Sequence, residues 1–462
     1  MLPHPLSPSF TLSSFSSSLR HHLTSTSFRI PLSFALLGLI NNILYVIILS
    51  AALDLVGPSL PKSLVLFFDV APSFLLKLVA PFFIHRIGYE YRVWACVVMG
   101  MMGMGFVALG PSSVPVPGPG GAKAGLWEEG KGRVKGLFGV KEPVQTQPGA
   151  MEVATKLFGI GLASLSSGAG ELSFLALTSV YGKGALAAWS SGTGAAGLIG
   201  AGAYVLVTTT LGWSVRASLV AFGFLPLGML AAYFVVLPRG GLGVREGTVE
   251  GYAPVRGSEE PAPDGDEDAE EDARAETGLL AREREVGVVK RQSRLRANLR
   301  RSRALVLPYM LPLFLVYLSE YTINQGINPT LLYPLKETPF EHYRDFYPTY
   351  GALYQLGVFI SRSSLPFIRI QALYIPAFLQ WGNLVLLMLQ AMYFTIIPSV
   401  WIVFAIIFWE GLLGGIVYVS TFRRIGEEVP PEEREFSLAA TTVSDAAGIC
   451  LASFLGMIVE TT

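Results

Sequence analysis

Charge is scarce in this chain. Of its 462 residues only 15% are Asp, Glu, Lys or Arg, while 51% are hydrophobic. Soluble domains carry about 25% charged residues, so the composition excludes an ordinary soluble fold and points to a polytopic membrane protein. The formal net charge is zero, which removes the electrostatic case for nucleic-acid binding. Cysteine is almost absent. Cys96 and Cys450 both lie in apolar stretches and read as small buried hydrophobes, with no disulfide framework and no metal site. The five histidines are scattered and form no ligand set. No nucleophile–base arrangement is visible, and the lone Gly-x-Gly elements precede no strand, so dinucleotide binding has no support. Neither enzymatic activity nor a cofactor is expected. No apolar signal-peptide core precedes the first long apolar run. The Ser-rich residues 1–29 contain basic but no acidic side chains; they read as a disordered cytosolic tail, with a transit peptide as the alternative.

Long apolar runs dominate what remains. A bilayer-crossing helix needs about 17–25 such residues, and eleven candidates follow in order: 30–53, 63–84, 92–110, 153–180, 185–208, 215–237, 304–326, 348–365, 372–394, 398–420 and 436–459. The eighth is the shortest. The runs are continuously apolar rather than alternating, which selects helices over a barrel. The expected fold is therefore an all-α polytopic membrane protein with about eleven transmembrane helices in two bundles. Residues 30–237 would form an N-terminal six-helix bundle with a Gly/Pro-rich lumenal loop at 111–150. Residues 238–303 read as a disordered cytosolic linker, acidic at 259–276 and basic in KRQSRLRANLRRSR (290–303), because such compositions bury too little apolar surface to fold alone. Residues 304–462 would form a five-helix bundle. Six spans, a large linker and five more spans resemble a major-facilitator-like fold lacking its last helix, in which two bundles rock about a midplane site.

Orientation follows from the positive-inside rule. With a cytosolic N-terminus, the short inside loops hold His85, Arg86 and Arg92, then Lys183, then Arg362 and Arg369, then Arg423 and Arg424, and the basic end of the linker falls on the same side.

Ionisable residues inside the spans are the candidates for function. A carboxylate at membrane depth costs roughly 2.5–3.5 kcal/mol on insertion scales unless it is paired, protonated or facing water. Glu320 sits mid-span in LVYLSEYTINQG, flanked at helical spacing by Tyr317, Tyr321 and Asn324, with Gln325 beside them; the stripe suggests a solute or proton pathway. Glu171 in GAGELSF is accompanied by Ser164, Ser167 and Thr178. If spans four and seven face each other, the two carboxylates would flank a central cavity and suit proton coupling. Asp69 and Lys77 share span two, about 12 Å apart along the helix, so each is expected to pair with another helix. Arg362 in SRSSL is either a bidentate phosphate or carboxylate ligand or a topology anchor. Glu410, Asp445, Asn41 and Asn42 complete the polar set, lining the cavity or bonding neighbouring helices. In WSSGTGAAGLIGAGA (189–203), Gly192, Ala196 and Gly200 recur every four residues, a small-residue face suited to close helix contact.

Several stretches carry a family resemblance. LLGLINNILYVIILSAALDL (36–55), SSGAGELSFLALTSVYGKGALAAWSSGTGAAGLIGA (166–201), EYTINQG (320–326), YQLGVFISRSSL (354–365), WEGLLGGIVYVSTF (409–422) and EREFSLAATTVSDAAGI (433–449) resemble the battenin family, that of the Batten disease protein and its fungal vacuolar relatives. The resemblance runs through nearly every span in order. It implies a multi-pass membrane protein of an acidic organelle, the vacuole in fungi, linked to vacuolar pH homeostasis and to basic amino-acid (arginine) transport by alternating access. A glycerophosphodiester exporter is the alternative it implies; a non-transporting scaffold for trafficking and pH regulation is a third. The implied partners are the lipid bilayer, a small polar solute and protons. Arg362 would serve an anionic phosphodiester, whereas Glu171 and Glu320 suit a cationic amino acid or a proton. Gly278-Leu279-Leu280 follows acidic residues as sorting signals do, with the nearest acid, Glu276, one position out of register.

The orientation has a direct check. Protease added outside intact vacuoles should cut within residues 238–303; cutting only after the membrane is permeabilised would reverse the assignment.

Overall fold

The computed structural model describes residues 24–52, 55, 62–110, 149–239 and 298–461. The tail to residue 23, nearly all of the 111–150 loop, most of the 238–303 linker and the Gly278-Leu279-Leu280 element lie outside the described residues. Among the described residues the secondary structure is helical, with no strand. Ten helices are long and apolar enough to cross a membrane: α1 (Thr26–Ser50), α2 (Ser63–Phe82), α3 (Tyr89–Leu109), α4 (Ala150–Tyr181), α5 (Lys183–Thr210), α6 (Val215–Val236), α7 (Asn298–Thr330), α9 (Tyr374–Tyr393), α10 (Val400–Glu428) and α11 (Pro431–Ile458). Between α7 and α9 lies α8 (Phe346–Ser363), the short and more polar helix. The expected all-α polytopic fold is the one observed.

Local chemistry sets the helix ends. Gly182 adopts φ +86 between α4 and α5, a left-handed conformation that glycine takes without a Cβ penalty. A single residue thus turns the chain between two long helices. Ser399 accepts from the Trp401 amide to cap α10, and Pro431 with Glu432 and Glu433 opens α11, the arrangement that suits a helix N-terminus. Three helices run beyond the apolar stretches. Among the described residues α7 runs from Asn298, inside the basic cluster, where Arg301 meets Glu433 at 3.4 Å. α10 extends to Glu428, where Arg423 and Arg424 pair with Glu427 and Glu428 at i,i+4 spacing. α11 starts five residues before its apolar run.

Packing repeats between the two halves. In the first, α1 lies along α5, and α4 packs on α2 and α3. In the second, α7 lies along α11, and α8 packs on α10. The pairs α1/α5 and α7/α11, like α2/α4 and α8/α10, are related by an offset of six helices, as expected of parallel repeats. The halves meet where α2 packs on α11 and where α5 packs on α8.

Small residues permit these contacts. A Cβ on Gly192 would strike the Ala35 carbonyl of α1, and one on Gly38 would strike the Trp189 carbonyl of α5. Gly103 and Gly159 bring α3 against α4, and Gly357 and Gly411 bring α8 against α10. Without a hydrophobic drive between helices in lipid, such close backbone approach supplies much of the attraction.

The α1/α5 contact can be tested with one methyl group. Gly192→Ala should destabilise the protein by about 1–3 kcal/mol, the usual cost of overpacking. Gly202→Ala, where a Cβ meets nothing within 4 Å, should not. Thermal melts in lipid nanodiscs read both; equal melting of the two variants would remove the close contact from the account.

Candidate site between the two halves

Three charged side chains from three helices meet at the centre. Lys77 Nζ of α2 lies 2.6 Å from Glu171 Oε2 of α4 and 3.4 Å from Asp445 Oδ1 of α11. All three are buried. Asp445 Oδ1 also accepts from the Ala446 amide at 2.8 Å. Tyr418 of α10 donates its hydroxyl to Glu171 Oε1 at 3.3 Å, and Trp189 Nε1 of α5 donates to that hydroxyl at 3.3 Å. Buried ions of this kind persist only when paired and hydrogen-bonded. Lys77 belongs to the first half and Asp445 to the second, so their bond crosses the interface.

Arg362 of α8 stands on the other side of Tyr418. Its guanidinium carbon lies 4.2 Å from the centre of the Tyr418 ring, a cation–π distance. Nη1 donates to Thr193 Oγ1 of α5 and Nη2 to the Tyr317 hydroxyl of α7, each at 2.9 Å. Nε is buried without a partner. Arg362 therefore lies at the α5/α8 interface. Among the described residues no carboxylate forms an ion pair with it.

These groups border a cavity of about 70 Å³ that also meets Asp69, Asn42, Ser73, Tyr45 and Tyr321. That volume admits on the order of five waters. Asp69 is buried, and its Oδ2 has no hydrogen-bond partner. Tyr317 and Tyr321 stack with centroids 6.0 Å apart.

The remaining candidates fall elsewhere. Asn42 lines the cavity and bonds back to the Gly38 carbonyl of its own helix at 3.0 Å. Asn41 points to α4 instead, donating to the Ser167 carbonyl at 3.0 Å. Ser164 accepts from the Ser73 amide of α2 and Thr178 bonds its own helix at Leu175, so of the polar stripe on α4 only Ser167 and Glu171 border the cavity. Gln325 lies apart from the cavity, 3.5 Å from the Tyr347 hydroxyl.

Glu320 stands apart from the cavity lining. Its carboxylate does not border the cavity. It accepts from the Tyr354 hydroxyl of α8 and packs against Gly414 of α10. Helical residues advance by about 100°, so Tyr321 turns to the cavity while Glu320 turns into its own half. There Asn324 Nδ2 donates to Glu410 Oε1 at 2.9 Å, and Asn328 Nδ2 donates to Asn324 Oδ1 at 3.2 Å. Polar residues thus form two groups: a central one with Lys77, Glu171, Asp445, Asp69 and Arg362, and an inner one with Glu320, Asn324 and Glu410.

Tyr418 and Tyr354 escaped the sequence reading, and Thr193 reads from sequence only as part of a small-residue packing face. Each is a hydroxyl in an apolar span, a pattern indistinguishable from core packing until the neighbouring helix is known. Among the described residues no group of three His, Cys, Asp or Glu side chains is placed to hold a metal ion.

Comparisons with known proteins cover nearly the whole chain. A family model described as CLN3 protein matches residues 32–462. The chain is 52% identical over 471 residues to Protein btn1 of Aspergillus fumigatus, covering 100% of this chain and 94% of the relative. It is 50% identical over 471 residues to Protein BTN1 of Chaetomium globosum, with the same coverage. It is 46% identical over 428 residues to Protein BTN1 of Yarrowia lipolytica, covering 93% of each.

The ion triad makes a stability prediction. Lys77→Met would leave two buried carboxylates without their cation and should cost about 3–5 kcal/mol. Adding Glu171→Gln and Asp445→Asn to Lys77→Met should recover most of that loss, because the uncompensated charge is gone. Melting curves in nanodiscs measure both; a Lys77→Met protein as stable as wild type would show that the triad does not hold the halves.

Proposed function

The chain belongs to the CLN3 protein family, and on that premise we propose that it is a transporter that moves a small charged solute through the cavity between its halves by alternating access. Family membership supports a vacuolar or lysosomal multi-pass membrane protein. The observation that carries the transport reading is Arg362: a half-buried guanidinium at a cavity, with its buried Nε unpartnered and, among the described residues, no carboxylate in ion contact. An Arg fork there suits a carboxylate or phosphate arriving from outside.

Basic amino acids, arginine among them, fit the whole charge pattern best. Their α-carboxylate matches Arg362. Their cationic end matches the acidic side of the cavity, where Asp69 Oδ2 lacks a partner. Transport of such a solute would support arginine balance and vacuolar pH. A glycerophosphodiester satisfies Arg362 but leaves Asp69 without a role. A scaffold with no solute has little need for five ionisable groups around one cavity, four of them buried.

The present cavity admits waters rather than a solute, so loading requires the halves to separate. Lys77–Asp445 and Arg362–Thr193 span the two interfaces. A solute carrying both charges can replace what those contacts lose. The basic residues of the short loops support a cytosolic N-terminus and a cytosolic 238–303 segment.

Flux into sealed vesicles tests the reading with arginine and a glycerophosphodiester side by side. Arg362→Lys keeps the charge and loses the planar fork, so it should raise the apparent KM of the transported solute about tenfold. Asp69→Asn should weaken arginine flux alone. Flux of the phosphodiester only, indifferent to Asp69→Asn, would replace the amino-acid reading. No flux of either by correctly folded wild type would favour the scaffold.

A further inference from the structure

Glu320 and Glu410 present a charge problem that the cavity does not solve. α7 and α10 run antiparallel, with Glu320 against Gly414 and Asn324 against Glu410. The two carboxyls therefore lie one helical turn apart on facing helices. Glu320 is 2% exposed and Glu410 is 0% exposed. Gly414 makes room for the first; a Cβ there would meet both Glu320 carboxylate oxygens.

Neither carboxyl forms an ion pair among the described residues. Each has one oxygen engaged, by the Tyr354 hydroxyl and by Asn324 Nδ2. Glu320 Oε2 and Glu410 Oε2 are both buried without a partner. A third acceptor, Asn328 Oδ1, is also orphaned, on a side chain 1% exposed and hydrogen-bonded to Asn324. All three orphans are acceptors, and what is missing is a donor. Two adjacent carboxylates with no cation cannot both remain ionised in this setting.

The ionisable groups on the surrounding helices do not supply that charge. Tyr317 and Tyr321 on α7, Tyr350 and Tyr354 on α8 and Tyr418 on α10 are phenols. Asp445 on α11 and Asp69 on α2 are acids. Tyr45 of α1 is another phenol. Arg362 of α8 is the nearby cation, and its terminal nitrogens are committed to Thr193 and Tyr317.

We infer that Glu320 and Glu410 together hold one exchangeable proton, in a site inside the second half and separate from the solute cavity. Binding converts one carboxylate to a carboxyl and adds one O–H donor to a group that has three orphaned acceptors. The Glu410–Asn324–Asn328 chain leads from the pair along α7 and ends beside the turn at Asn328–Thr330. There the backbone departs from regular α-helix through the wider turn at Thr322–Ile327, a distortion frequent at functional sites. Toward the cavity, about one turn before Glu320 on α7, stands Tyr317, which holds Arg362. An unprotonated pair attracts the guanidinium; a protonated pair leaves it available for a solute anion. Use of the proton in transport rests on the function proposed above, but the existence of the site does not.

The test separates the two. Full-length protein in lipid nanodiscs is titrated from acid to neutral pH while infrared difference spectra follow the carbonyl band of protonated carboxyls. Wild type should show a band that both Glu320→Gln and Glu410→Gln remove or shift and that Glu171→Gln leaves in place. A band unchanged in both pair variants would overturn the inference. Glu410→Asp, which keeps a carboxyl one methylene shorter, should retain a shifted band and guards against misfolding of the amide variants. In sealed vesicles both amide variants should lose pH-gradient-driven accumulation about tenfold while keeping solute exchange at equal concentrations. Equal loss of exchange and accumulation in folded protein would reduce the pair to a structural role. The titrating band in a wild type that carries no solute would uphold the site and sink the transport reading.

Discussion

The bond between Lys77 and its two carboxylates is the contact on which the arrangement of the halves depends. An ion in hydrocarbon is stable only if its counter-ion and hydrogen bonds are delivered by other helices. Lys77 on α2 finds Glu171 on α4 and Asp445 on α11, so one ammonium gathers helices of both halves. Two anions against one cation leave an imbalance. Tyr418 bonds Glu171 with its hydroxyl and lies under Arg362 with its ring, which carries the network to the second cation. The chain from Lys77 to Arg362 is thus continuous across the molecule, and it borders the cavity throughout.

Glycine determines how near these charges come. α5 contacts α1 through Gly192 and α8 through Gly194 and Gly197, where a Cβ would meet Arg362 and Gln355. Gly168 plays the same part between α4 and Ser73 of α2. Larger residues would push the helices apart, and the polar groups they carry would lose their partners. Small faces and buried charges are two sides of one design: the first sets the distance at which the second can be satisfied.

How much of this was legible in the sequence follows the same physics. The spans were legible because apolar length is a local property, and the all-α fold followed. Glu171, Asp69, Lys77, Arg362 and Asp445 stood out because charge in an apolar span is costly wherever it lies. Their partners were not legible, since Lys77 meets Asp445 across 368 positions of chain. Glu320 stood out in the same way, but its neighbours on α8 and α10 did not. Its stripe with Tyr317, Tyr321 and Asn324 spans enough of the helical circumference to face two environments, and only the neighbours α8 and α10 distinguish them. Helix ends were misjudged where charged residues continue a helix past its apolar run, as in Asn298–Arg303 and Arg423–Glu428, because periodic hydrophobicity stops there while backbone hydrogen bonding does not.

The charges that join the halves are also the charges that line the cavity, and this has a thermodynamic consequence. Separating α2 from α11 and α5 from α8 breaks Lys77–Asp445 and Arg362–Thr193. The separated state is disfavoured unless something replaces those contacts. Water does so in part; a solute bearing complementary charges does so better. A ligand shifts such an equilibrium only by its difference in affinity for the two states, and here that difference is built into the contacts themselves. The carboxyl pair within the second half lies outside this exchange. It can change its charge without breaking a contact between halves, and its electrostatic reach extends to Arg362, the group that a solute anion must engage.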